Sequence, residues 1–171
     1  AENHKIIFLF RKYSSLFEVS ANRTFIDSNG IVEQVSTQPI TMTDISIQKI
    51  PNTTITLFDP VTVINNVSFT SGRFNSSAGN ELIFADNSNH TGSSDASHVN
   101  GPVIKTGNDA FTFPIGKINK LASISISAPF LGTDEFRAEY FWVIPHNSGY
   151  DSTLKDPTIH HVSDNEYWML D

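Results

Sequence analysis

Residues 40–71 read ITMTDISIQKIPNTTITLFDPVTVINNVSFTS, and this stretch decides the fold of the chain. It carries apolar residues in pairs, two positions apart, with polar residues between the pairs. Because successive side chains of a strand point to opposite faces, each pair predicts a short strand with one face turned inward. The pairs are Ile45/Ile47, Ile55/Leu57, Val61/Val63 and Val67/Phe69, and Leu82/Phe84 follows in the same manner.

The pairs also recur at a longer interval. The first pair, which begins at position 45, recurs as the fourth, which begins at position 67. The third pair, which begins at position 61, recurs as the fifth, which begins at position 82. A recurrence of roughly 20–25 residues is what a parallel β-solenoid requires, because each coil has to stack on the previous one. The pattern therefore predicts solenoid coils over residues 40–110, and it leaves open an antiparallel sandwich with hairpins of similar length.

Beyond about residue 110 the pattern changes to longer amphipathic strands. Ile124 and Ile126 alternate with serines, and apolar and polar residues alternate along residues 136–140. Such strands are typical of an antiparallel sandwich with one solvated face. The predicted fold class is thus all-β, with a short parallel β-solenoid (β-helix) over residues 40–110 followed by an antiparallel β-sandwich module over residues 111–171.

Residues 1–39 contain strand signals, but the sequence does not assign them to the solenoid or to the sandwich. The apolar run at residues 6–10 predicts a strand that needs a neighbour. The turn signal Ser28-Asn29-Gly30 lies between apolar residues and predicts a hairpin. We treat residues 1–39 as N-terminal strands without an assigned position.

The composition favours an extracellular all-β protein. Serine, threonine and asparagine together supply 50 of the 171 residues, whereas charged residues supply 17% and aromatic residues 11%. Hydroxyl and amide side chains suit turns and exposed strand faces. A disordered chain would instead have a high charge and few large apolar residues.

Several function classes are excluded by charge and residue type. The net charge is −7, and there is no basic cluster beyond Arg11-Lys12, so no surface for nucleic acid is expected. No apolar run approaches the ~20 residues that cross a bilayer, so no membrane insertion is expected. The absence of cysteine excludes disulfides, thiolate metal sites and cysteine nucleophiles.

Three stretches resemble parts of very large secreted surface proteins of gliding and environmental Bacteroidetes. The coils of those proteins are similar to residues 40–72 of this chain. The element that usually closes those coils is similar to HVNGPVIK at residues 98–105 and FTFPIGK at residues 111–117. The strand that follows the next module is similar to VSDNEYW at residues 162–168.

This resemblance implies an adhesin-like or scaffold module that lies outside the cell. Type IX secretion would export the parent protein, which would be similar to gliding adhesins. The family pattern continues beyond Asp171 and ends in a sorting domain, so we expect the chain to be a piece of a longer protein. Its partners would be the neighbouring modules of that protein, with glycans or other surface proteins as further ones.

No catalytic residue is predicted. Solenoids that cleave polysaccharides carry clustered carboxylates, but the acidic residues here are dispersed. A shift by one coil along the sequence brings only Asp59 and Glu81 into register. An enzyme acting on acidic polysaccharides would depend on this pair. We expect a non-catalytic module.

The three residue types of a nucleophilic triad occur close together at Asp95, Ser97 and His98. Triads assemble from distant segments and need a positioned oxyanion hole. Adjacent residues cannot provide that geometry, so these three are interpreted as turn residues.

One loop supplies hard oxygen ligands of the kind that calcium prefers. They belong to Asp86, Asn87, Asn89 and Asp95, and calcium is the only cofactor for which the sequence offers candidates. The spacing of an EF-hand is missing. Neighbouring His160 and His161 would point to opposite faces of an extended strand and could not share an ion.

Exposed aromatic rings are the remaining candidate for ligand binding. Tyr140 and Trp142 would share one face of a strand and are predicted as sugar contacts. They support the alternative function, a carbohydrate-binding module of a secreted polysaccharide-degrading protein. The competing interpretation is that these rings pack in the core.

Overall fold

The computed structural model describes residues 18–19, 23–26, 32–35, 40–49, 53–151 and 153–171. Their regular structure is β throughout, apart from a short 3₁₀ helix over Pro145–Ser148. The strands are β1 (Glu18–Val19), β2 (Arg23–Ile26), β3 (Val32–Val35), β4 (Ile40–Gln48), β5 (Thr54–Leu57), β6 (Val61–Ser71), β7 (Arg73–Asn75), β8 (Leu82–Phe84), β9 (Asn89–Thr91), β10 (Val99–Asn100), β11 (Val103–Thr106), β12 (Phe111–Phe113), β13 (Ile115–Lys117), β14 (Lys120–Leu121), β15 (Ile124–Ile126), β16 (Glu135–Phe141) and β17 (Tyr167–Leu170).

One sheet is built from the first strand of each successive coil. Strands β4, β6, β8 and β11 pair in parallel and place Ile40, Val61, Leu82 and Val103 side by side. A second sheet stacks β1, β5, β7, β10 and β13 in parallel. The chain therefore forms a parallel β-solenoid.

The register predicted from the apolar pairs is confirmed. The pair Ile45/Ile47 lies opposite Val67/Phe69, and Val61/Val63 lies opposite Leu82/Phe84. The interval from position 45 to position 67 is one residue longer than the interval from position 61 to position 82, and a bulge explains the difference. Between β4 and β6 the register shifts after Met42, so that Asp44 pairs with Asn66, and β6 bulges there. The interval between paired positions is therefore longer by one after this bulge than before it.

The inward side chains form one continuous apolar core. Those from β6 and β8 are at most 3% exposed. Burying such a side chain is worth roughly 1.5–3 kcal/mol, so the stability of each coil depends on its neighbours. The core includes Val63, Val67, Leu82, Phe84, Val99, Phe113 and Ile115.

Gly116 allows a close approach between the fourth coil and the strand that follows it. A Cβ atom at this position would collide with the backbone oxygen of Lys120 and would lie 2.8 Å from Cδ2 of His98. Because β13 turns back into β14 here, with Gly116 opposite Leu121, any larger residue would push the two strands apart.

Antiparallel strands follow the coils, as the predicted fold class requires. In the second half of the chain, β16 pairs with β11 and β17 pairs with β16, while β15 pairs with β12. Strands β13 and β16 belong to different sheets and pack on each other, which gives the two layers of a sandwich. The all-β class, with a parallel solenoid first and antiparallel strands after it, is confirmed.

The change to antiparallel pairing comes later than the sequence pattern indicated. The predicted boundary near residue 110 falls between β11 and β12, inside a fourth coil. Residues 98–117, predicted to close the coils, contribute β10 and β13 as further parallel rungs of one sheet. Strands β14, β16 and β17 then follow as the antiparallel strands at the edges of the two sheets.

The N-terminal hairpin prediction is confirmed in its pairing. Strands β2 and β3 are antiparallel partners, with Ile26 opposite Val32. The predicted strand at residues 6–10 lies outside the described residues. Within the part of the chain that the structure describes, no helix has the length and apolar character needed to cross a membrane.

Candidate functional site

The aromatic residues of the C-terminal strands come together because β16 and β17 pair antiparallel. Tyr140 lies opposite Trp168, and Phe141 lies opposite Tyr167. The rings of Tyr140 and Trp168 are 5.3 Å apart, and those of Phe141 and Tyr167 stack at 4.7 Å. Tyr140 is fully buried, whereas Trp168 is 39% exposed. One side of this pair therefore belongs to the core and the other faces solvent.

A carboxylate is fixed beside these rings. Lys120 Nζ donates a hydrogen bond of 2.5 Å to Glu166 Oε2, and the hydroxyl of Tyr140 donates to the same oxygen. The hydrogen bond from Lys120 lowers the pKa of Glu166, and that from Tyr140 lowers it further. Burial raises the pKa of Tyr140. At neutral pH the site thus holds a charged carboxylate and a neutral phenol.

An open cleft of about 380 Å³ lies next to this carboxylate. It runs between strand β17 and the segment that connects β16 to it. The ring of Tyr150, which is 49% exposed, lies 5.1 Å from that of Tyr167. The cleft is lined by Tyr150, Asp151, Ser163, Glu166, Tyr167 and Trp168, together with Pro145 and Val162.

The two predicted sugar contacts have different surroundings. Trp142 is 45% exposed and its ring lies 5.5 Å from Lys120 Nζ. Tyr140 is fully buried, so its ring cannot serve as a solvent-facing platform. The strand ends at Phe141, and the alternation that would have put Tyr140 and Trp142 on one face does not continue past it.

Three of the four calcium candidates accept hydrogen bonds from different parts of the chain. Asp86 accepts hydrogen bonds from Asn87 Nδ2 and from the amide of Asn108. The side-chain oxygen of Asn89 accepts from the amide of His90. Asp95 accepts from the amide of Leu121, at the far side of β13. The side-chain oxygens of Asp86, Asn89 and Asp95 thus support a turn or a neighbouring strand.

Metal ligands do not gather elsewhere in the described ranges either. No group of three or more histidine or acidic side chains is found there with the geometry to hold a metal ion. His160 and His161 lie outside any strand, so the argument that they point to opposite faces does not apply. Their Nδ1 atoms are 3.3 Å apart and within hydrogen-bonding distance of each other.

The residues that were considered as catalytic candidates form hydrogen bonds within the fold. Ser97 Oγ donates to the carbonyl of Gly72, and His98 Nδ1 lies 3.0 Å from the carbonyl of Ser94. These contacts fasten a turn to the coil below it. Glu81, from the pair considered for polysaccharide cleavage, accepts a hydrogen bond of 3.4 Å from Arg137 Nε.

A lysine occupies an inward position of the solenoid. Lys105 pairs with Phe84 in the column that starts with Met42 and Val63, and its side chain is 1% exposed. Its Nζ donates to the carbonyls of Ala85 and Ser88 at 2.7 and 3.3 Å. It also lies 3.0 Å from Asp109 Oδ1. From inside the coil, the ammonium group thus stabilises the turn that follows β8.

Two histidines are also enclosed by the coils. The ring of His90 packs edge-on against Phe69, Phe84 and Phe111, and His98 is fully buried. Burial lowers the pKa of both side chains. For His98 the nearby charge of Arg73 lowers the pKa further. Both rings are therefore neutral at neutral pH.

These two histidines predict that the protein loses stability on mild acidification. Below the unfolded pKa of 6.5, the unfolded chain binds protons that the folded chain does not, which favours unfolding. The urea midpoint should be lower at about pH 5 than at about pH 7.5. The double variant His90→Gln, His98→Gln should lose most of that difference. An equal or higher midpoint for the parent chain at the acidic pH would refute this explanation.

The sequence did not reveal Lys120 and Glu166 as members of the site. They are separated by 46 residues and meet where β14 begins at Lys120 and where Glu166 directly precedes β17. Tyr167 and Trp168 carried the one usable signal, since these adjacent aromatic residues end the stretch that resembles a strand of the secreted surface proteins.

Comparison with protein-family models, with curated proteins and with solved structures gives no match for this chain.

Proposed function

We propose that this chain is a non-catalytic structural module, with an adhesive role, of a large secreted or cell-surface bacterial protein. The observation that carries the proposal is one continuous sheet in the order β4-β6-β8-β11-β16-β17, in which each strand is hydrogen-bonded to the next. The backbone hydrogen bonds of such a sheet hold the two ends of the module together without disulfides. Its length is set by the number of coils, at about 4.8 Å for each.

Side-chain contacts between coils support a structural role. Asn100 Nδ2 donates to Asn75 Oδ1 at 2.9 Å on one sheet, and Asn65 Nδ2 donates to Asp44 Oδ1 at 2.6 Å on the other. The hydroxyl of Ser71 donates to the carbonyl of Lys49. The polar side chains in these contacts tie one coil to the next, as a spacer requires.

An exchange experiment in the full-length parent protein tests the proposal. Removing residues 40–117 should weaken attachment of the cells to a surface, while antibodies against the chain label intact wild-type cells. An unrelated β-solenoid with the same number of coils should restore attachment, because a spacer depends on length and stiffness. Failure of that replacement, with normal export, would contradict a structural role. So would labelling only after the cells are lysed.

A second candidate function is sugar binding by the C-terminal strands. The exposed rings of Trp142, Tyr150 and Trp168 favour it. It does not depend on the structural role, since a spacer can carry a ligand site on one end.

A further inference from the structure

We propose that the cleft beside β17 binds a neutral pyranose sugar, which stacks on the exposed ring of Tyr150 and donates hydroxyl hydrogen bonds to Glu166. This site differs from the one predicted from the sequence, where Tyr140 and Trp142 were the contacts. The proposal rests on the second candidate function, sugar binding, and not on the structural role of the coils, so that either role can fail alone.

The aromatic surfaces of the cleft are held in place before any ligand arrives. Trp168 Nε1 donates a hydrogen bond of 2.8 Å to the carbonyl of Ala122, and the indole packs on buried Tyr140. Tyr150 packs on Tyr167, which also stacks on the ring of Phe141. Rigid rings lose little conformational entropy on binding, which favours affinity for a weakly interacting ligand such as a sugar.

The polar groups of the cleft are also positioned. Glu166 is fixed through Oε2 by Lys120 and Tyr140, and its backbone amide donates to Ser163 Oγ. A fixed carboxylate is a strong acceptor for hydroxyl donors. Apolar ring faces next to such an acceptor match a pyranose, which presents C–H groups on its faces and hydroxyls at its edges. A volume of 380 Å³ lies within the range of small-molecule sites.

Charge disfavours an acidic sugar in this cleft. An acidic sugar would meet the carboxylates of Asp151 and Glu166, both of which line the cleft.

A glycan array probed with the purified chain, followed by fluorescence titration with each neutral oligosaccharide that binds, tests the proposal. Trp142 and Trp168 are the only tryptophans, so Trp142→Phe leaves Trp168 as the single indole reporter. We expect saturable binding of neutral oligosaccharides that changes the Trp168 emission. In this background Tyr150→Ala should weaken binding about ten-fold, since the stacking ring is lost.

Two further variants separate stacking from general damage to the loop. Tyr150→Phe keeps the ring and should bind almost as the parent does. Leu154→Ala removes a side chain that is 83% exposed on the same loop but does not line the cleft, and it should leave binding unchanged. The proposal is overturned by an array without neutral ligands, by binding restricted to acidic or cationic compounds, or by equal affinities for Tyr150→Ala and the Trp142→Phe background.

Discussion

Replacing Lys105 by alanine is expected to lower the free energy of unfolding by about 3–5 kcal/mol. Two terms add up in this variant. The carbonyls of Ala85 and Ser88 lose their donor, and Asp109 loses its ion pair. The methylene stem, which packs inside the coil with its Nζ 5.2 Å from the Phe111 ring centre, leaves a cavity. Asp109 contributes less than the carbonyls because it is 30% exposed and can be solvated again.

Urea unfolding of matched variants separates the loss of unfolding free energy caused by the missing donor from the loss caused by the cavity. Lys105→Met keeps the stem and should cost about 1–3 kcal/mol, which corresponds to the missing donor. Lys155→Ala removes an exposed lysine that donates to the carbonyls of Ile159 and His160, and it should cost at most about 1 kcal/mol because these carbonyls can be solvated again. A Lys105→Met variant at least as stable as the parent would show that the ammonium group contributes nothing to the coil.

Lys105 also marks a limit of what the sequence could predict. The apolar pairs determined the parallel register because each inward position has an apolar neighbour one coil away, as with Val61 and Leu82. At the fourth coil a lysine takes that position, and the pairing rule fails for it. Its partners are carbonyls of a turn, whose direction depends on backbone geometry that no residue type reveals.

The candidate site was harder to predict than the fold for a related reason. Whether Tyr140 faces the core or solvent depends on the layer that packs against β16, and that layer includes β13 from the other sheet. The position of Trp142 depends on where β16 ends. Glu166 gains its role from Lys120, 46 residues away. Alternation within one strand contains none of this information.

Two of the calcium candidates show how the fold separates residues that are close in sequence. Asp86 and Asp95 lie within one polar stretch of sequence, so they were grouped as candidate ligands. In the fold, Asp86 faces the turn that contains Asn108, whereas Asp95 faces β14. The coil separates residues that are close in sequence and stacks residues that are one full coil apart.

Stacking of consecutive coils is tested most directly by disulfide formation between introduced cysteines. The chain has no cysteine of its own, so each pair reports alone. Thr62 and Ile83 are register partners in adjacent coils, where the Cα separation of about 4.8 Å suits a disulfide. Thr62 and Ile104 lie two strands apart, at about 9.6 Å, which is too far.

The measurement is the fraction of oxidised protein under mild oxidant, resolved by mass spectrometry after thiol labelling. Thr62→Cys with Ile83→Cys should oxidise almost completely without loss of solubility, and the cross-linked chain should resist urea better than its reduced form. Thr62→Cys with Ile104→Cys should stay reduced. Equal cross-linking of the two pairs, or none in the first, would contradict the parallel solenoid and the structural role built on it.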